Sequence, residues 1–194
     1  MIKRKVLIIS IVAAILAVVT TVVAVVVITT GEKAPIDVLQ EKYAGVSQAT
    51  AITQKIEISS GSLLQYSKEA KFTANGSGYS VEVTEKQLNE VTSSTEAAYT
   101  TSTDSYTETK ATTFVSSLNL KEEYFQEGFT VSATSLKANI VSGHEKDVVG
   151  LTEIPSSISN MTLELTATDN NITSIVITYT MNGSSVTISL SFNY

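Results

Sequence analysis

The sequence predicts an α+β protein: a curved antiparallel β-sheet (half-barrel) covered by short helices, preceded by one N-terminal transmembrane helix. Three observations carry that expectation. An uncharged apolar run fills most of the first 30 residues, residues 36 to 46 space their apolar side chains as a helix does, and most of the remaining chain alternates at period two. The chain divides accordingly into a basic cytoplasmic stub (1–5), a membrane segment (6–30), a linker (31–35) and an outer β domain (36–194).

Val6 to Thr30 reads VLIISIVAAILAVVTTVVAVVVITT without a charge. At about 1.5 Å of rise per residue, a helix of that length exceeds a hydrocarbon core of roughly 30 Å. Its β-branched residues are poor helix formers in water, but lipid demands internally paired backbone, and Ser and Thr bond back to the preceding turn. A cleaved signal peptide is the competing reading, since MIKRK is a suitable positive leader. The run is longer than the usual apolar region of about 7 to 15 residues, and no clear small-x-small site adjoins GEKAP, which favours an uncleaved signal anchor. Lys3, Arg4 and Lys5 then stay inside, giving a single-pass protein of the cell membrane with its C-terminal domain outside.

The chain carries 13 basic and 19 acidic side chains, a net charge of −6. Beyond Gly31 the balance is 10 lysines against 19 acids, net −9, and Arg4 is the single arginine of the chain. A domain without the planar guanidinium fork is poorly equipped for phosphates, so neither a nucleotide nor a nucleic-acid partner is expected. A coding bias toward lysine would produce the same count. With no Cys and one His, thiolate nucleophiles, disulfide frameworks and multi-His metal sites are excluded, and the lack of disulfides fits a bacterial surface protein.

Within the outer domain, Ile36, Leu39, Tyr43 and Val46 form one helical stripe beginning just after Pro35, weakened near its end by Gly45. Period two then takes over. Ile52, Gln54, Ile56 and Ile58 define a first strand, Leu64 to Phe72 a second and Tyr79, Val81 and Val83 a third, with Asn75-Gly76-Ser77-Gly78 as a hairpin turn. The Thr- and Tyr-rich stretch from 85 to 113 is read as one or two edge strands around Tyr99 and Tyr106, a Ser/Thr-rich loop being the alternative. Phe114, Leu118 and Leu120 precede a helical turn at Tyr124 and Phe125 closed by Gly128; Phe129 to Ile140 return to period two; residues 143 to 150 suggest a short helix. Three alternating strands close the chain, Met161 to Ala167, Ile175 to Met181 and Val186 to Tyr194, joined through Asp169-Asn170-Asn171 and the type I′ pair Asn182-Gly183. Each has one apolar and one mostly hydroxylated face, so one covering layer suffices, supplied by the helices near 36 to 46 and 143 to 150.

The opening VLQEKYAGVSQATAITQKIEI, a helix running into a first strand, and the closing ITSIVITYTMNGSSVTISLSFNY together resemble the LolA-like bacterial lipoprotein-carrier superfamily. The resemblance spans most of 36 to 194. It implies a half-barrel around an apolar cavity for a lipid or acylated ligand, with Ile56, Ile58, Tyr66, Phe72, Val81, Ile177, Ile188, Leu190 and Phe192 as candidate walls; each of these would equally serve as ordinary core.

Signs of catalysis are sparse. His144, in SGHEKD, is the only imidazole, and no G-x-S-x-G elbow presents a serine to it. Glu122, Glu123 and Glu127 read as a solvated face rather than a carboxylate pair. Asp169-Asn170-Asn171 lacks the Gly and Glu of a calcium loop, with Ser174 and Thr180 in their places. No catalytic residue, metal ligand or cofactor is therefore expected. Two functions remain open: a non-enzymatic membrane-anchored binder of an apolar or acylated ligand, or an interaction module presenting Thr162, Thr166, Thr178, Thr187 and Ser189 to a wall polymer or protein partner. A hydrolase would need His144 recessed beside a serine and an acid.

Overall fold

A computed structural model describes residues 33–91, 97–151 and 158–194. The membrane segment expected at 6–30 lies outside them; among the described residues no helix is long and apolar enough to cross a membrane. Residues from Pro35 to Tyr194 form one compact unit, a sheet-rich α+β domain.

The unit opens with α1 (Pro35–Ala44), which Pro35 starts with its fixed φ at the first helical position. A 3₁₀ turn, Gly45–Gln48, ends it where Gly45 weakens the helical stripe. Four long strands follow: β1 (Ala51–Ser60), β2 (Leu63–Asn75), β3 (Gly78–Val91) and β4 (Ala97–Glu108). Next come β5 (Val115–Leu118), a 3₁₀ turn at Glu122–Tyr124, β6 (Thr130–Ser132) and β7 (Ser135–Asn139). A single turn, α2 (Glu145–Val148), leads into β8 (Val149–Leu151), and β9 (Ile158–Ala167), β10 (Ile172–Met181) and β11 (Ser184–Asn193) close the chain.

Nine strands form one sheet in the order β4-β3-β2-β1-β11-β10-β9-β7-β6, and β5 pairs with β8 separately. Every pairing is antiparallel. The strands β4 and β6 end the order and do not pair with each other, so the barrel is not closed. Turn chemistry sets the registers. Asn182 and Gly183 both take positive φ, as a type I′ hairpin requires, and Gly76 does so between β2 and β3.

One buried cluster joins Ile36 and Leu39 of α1 to the inward residues of β1–β3, β7 and β9–β11. The cover over this face differs from the expectation of two helices. Residues 143 to 150 yield only the one turn of α2, because the β-branched Val148 and Val149 are fully buried and Val149 joins the ladder to Leu118. Extended chain between 111 and 149 supplies much of the cover, through Val115, Leu118, Leu120 and Phe125. Two glutamines fasten it. Gln54, 4% exposed on β1, donates through Nε2 to the carbonyl of Thr112 and accepts the N–H of Phe114. Gln40 of α1 does the same to Leu118 and Leu120. Each amide satisfies both of its own ends and two otherwise orphaned backbone groups.

Candidate interaction surface

The structure brings all nine candidate wall residues to one face of the sheet, but not to one environment. Phe192, Ile52, Phe72 and Val81 lie across from one another along a rung, and so do Ile177, Ile188, Ile56 and Lys68, and Val186, Ile58, Tyr66 and Gln87. Phe72, Val81, Ile177, Ile188, Leu190 and Phe192 are buried in the core, each at most 3% exposed. Ile56 and Ile58 are half-buried against that core, and Tyr66 is half-buried where the cover stops. The first of these rungs stays packed through β3, whereas the other two pass from packed aliphatics on β10 and β11 to Lys68 and to Gln87 on β2 and β3.

At that border Lys68 Nζ lies 2.8 Å from Glu85 Oε1. The hydrogen bond to Glu85 pushes the Lys68 ammonium above its ordinary pKa, and burial followed by the charge of Glu85 pushes the Tyr66 phenol up. Both partners of the ion pair are more than a third exposed, so solvent screens it and it adds little stability.

The other face of the sheet is continuous and polar. One rung runs from Asn139 on β7 through Thr162, Thr178, Thr187, Glu57, Ser67 and Lys86 to Thr101 on β4. The next runs from Lys137 through Glu164, Val176, Ser189, Lys55, Glu69 and Thr84 to Thr103, and a third from Ser135 through Thr166, Ser174, Ser191, Thr53, Lys71 and Glu82 to Ser105. Across eight strands Val176 is the sole aliphatic residue, and no side chain of the three rungs is buried. The rungs hold four lysines and four glutamates, and most of these pair: Lys55 with Glu57 at 2.7 Å, Lys137 with Glu164 at 2.6 Å, and Lys71 with Glu69 at 3.1 Å and Glu82 at 3.8 Å. Lys86 sits 4.1 Å over the ring of Tyr99. What remains is a neutral, hydroxyl-rich plane, and Thr162, Thr166, Thr178, Thr187 and Ser189 all belong to it. An open depression of 480 Å³ lies against its β2–β4 end, lined by Lys71, Thr73, Ser80, Glu82, Ser105 and Thr107 together with Val81 and Tyr106.

His144 is placed differently from a catalytic base. Its Nδ1 is 2.8 Å from Asp147 Oδ2, its ring stacks on Tyr124 with centroids 4.9 Å apart, and the side chain is 42% exposed. No serine is among its hydrogen-bond partners in the described residues. Glu122 and Glu123 lie exposed on the 3₁₀ turn, and Asp169-Asn170-Asn171 forms a turn in which the Asn171 carbonyl accepts from the Thr168 N–H at 2.9 Å. Among the described residues no group of three or more acidic or His side chains is arranged to hold a metal ion.

Two features escape the sequence reading. Gln54 and Gln40 act as backbone fasteners, although a Gln between Ile52 and Ile56 on an inward face is itself a sign of a buried amide in need of partners. The outer flank of β4, which pairs with no strand among the described residues, is the other. Comparison with protein-family models, with curated proteins and with solved structures returns no match.

Proposed function

We propose that this is a non-enzymatic, membrane-anchored, extracytoplasmic interaction module that binds a wall polymer or a protein partner through the hydroxyl-rich face of its sheet. The observation that supports it most is the three-rung plane, in which hydroxyls recur at strand spacing and charges cancel locally. Such a plane suits a neutral, hydroxyl-bearing polymer, which gains many weak hydrogen bonds and meets no large field. The filled core beneath it is what a rigid presenting scaffold needs. Incubating the protein with an insoluble, uncharged, hydroxyl-bearing glycan such as cellulose tests the reading. Co-sedimentation should fall in a Thr178→Lys, Ser189→Lys double variant that keeps its thermal midpoint within a few degrees. Unchanged binding by that variant rules out the plane.

A second reading, the apolar or acylated ligand of a half-barrel carrier, is favoured by one observation. Ile56, Ile58 and Tyr66 form a half-buried apolar strip where the cover ends, whereas the six deeper candidates already fill the core. An acyl chain would then lie along that strip. Native mass spectrometry after expression in a lipid-containing host should show lipid that disappears in Ile58→Asp. A lipid-free mass removes this reading and leaves the first untouched.

A further inference from the structure

We propose that the free edge of β4 is a strand-addition site for an extended, basic segment of a partner protein. The strand is 12 residues long and ends the nine-stranded sheet. At about 3.3 Å per residue it offers roughly 40 Å of backbone. No backbone hydrogen bond from its outward side reaches another described residue. Ala97–Glu108 holds neither of the usual edge protections, lysine or proline, and no strand among the described residues pairs with its outer side. The opposite edge shows the contrast: β6 has three residues, and α1 packs against it.

Charge selects the occupant. Asp104 and Glu108 share one face of β4, four residues apart, and neither has an ion-pair partner among the described residues. On the described part of the β3–β4 hairpin Glu82 and Glu85 are held by Lys71 and Lys68 of β2, which leaves Glu90, Asp104 and Glu108 against Lys86, in a domain of net charge −9. A second copy would bring the same acidic edge and be repelled, whereas a segment with basic side chains at alternate positions would set its cations along the acidic face while its backbone completes the ladder.

The test uses the full-length chain and a ten-residue peptide of alternating threonine and lysine. Fluorescence anisotropy should show binding that weakens with salt, and amide exchange across residues 97–108 should slow while that of β10 does not change. Asp104→Lys, an exposed change on an edge, should weaken binding by about fivefold or more, as loss and reversal of one interfacial charge does. The matching threonine–glutamate peptide should not bind. No binding of the lysine peptide, equal binding of the glutamate peptide, or binding that leaves exchange at 97–108 unchanged would each overturn the proposal. So would sedimentation showing a dimer whose β4 amides are already protected before peptide is added.

Discussion

The β9–β11 end and the β3–β4 end of the sheet have the same local design and opposite fates. Both contain antiparallel strand pairs interrupted by register shifts, and Thr and Tyr recur in both. Yet Leu163, Ile175 and Ile177 are fully buried, while Tyr106 on the corresponding face of β4 is 46% exposed. The difference lies in what crosses the face. Gln54 and Gln40 hold the chain at 112–120 over β1 and α1, whereas along the rungs of Lys68 and of Val83 the inward positions turn polar at Lys68 and Glu85 and at Asp104 of β4, charges that a dry apolar cover would not accept. A sheet can thus be a core at one end and a surface at the other.

The largest test of that contrast is truncation at each end. Leu163→Ala should cost about 2–5 kcal/mol, the transfer and cavity penalties of a site with no exposure, whereas Tyr106→Ala should stay within about 0.5 kcal/mol. Urea midpoints of the two variants report it, and equal losses would mean that the open end is packed after all.

Removing the fastener comes next. Gln54→Ala leaves the Phe114 N–H and Thr112 carbonyl without their partners, a loss of about 1–3 kcal/mol. Its signature is faster amide exchange at Phe114 than at β10. Gly78 sharpens the comparison at the foot of the edge strand. A Cβ there would strike the carbonyl of Glu108, so Gly78→Ala should cost roughly 1–2 kcal/mol through overpacking and free the amides of 106–108 first.

The smallest expected effect is alkaline. Burial raises the Tyr179 phenol above its ordinary 10.0, and Tyr43 likewise. A folded pKa above the unfolded one means that the stabilisation is complete below pH 10 and is lost as pH rises through the raised value. Tyr179→Phe should therefore show a shallower fall of stability above pH 10, read from urea midpoints at successive pH values. A Tyr66→Phe change at the border tests the same sign on the open half, where burial and Glu85 both raise the phenol.

Much of this architecture is legible in the sequence. Ile36 and Leu39 mark a helix stripe, the alternation from Ile52 to Val83 and from Met161 to Phe192 marks the strands, and Asn182-Gly183 marks their hairpin, because each is a local signal read over a few residues. The expectation of edge strands around Tyr99 and Tyr106 corresponds to β4, whereas the helical turn expected at Tyr124 and Phe125 is a 3₁₀ turn that ends at Tyr124, with Phe125 already extended and bridged to Ile140 rather than closed by Gly128. The helix expected at 143 to 150 shrinks to a single turn, since pairing of Val149 with Leu118 is a contact across 31 positions that no window contains. The site is legible only as a set of inward and outward residues. Which inward residues are sealed and which stay half-open depends on where 111–149 crosses.

Composition and periodicity by themselves determined the antiparallel, sheet-rich class, the two faces of β1–β3 and β9–β11 and the poverty of Cys and His. Strand order, the joining of β1 to β11, the extent of the cover and the place of β4 at the end of the sheet were decided only in three dimensions. The physical reason is range: side-chain alternation and turn chemistry act between neighbours, whereas β1–β11 pairing and the glutamine fasteners join residues 58 to more than 100 positions apart, where closing the loop must be repaid by packing of the whole core.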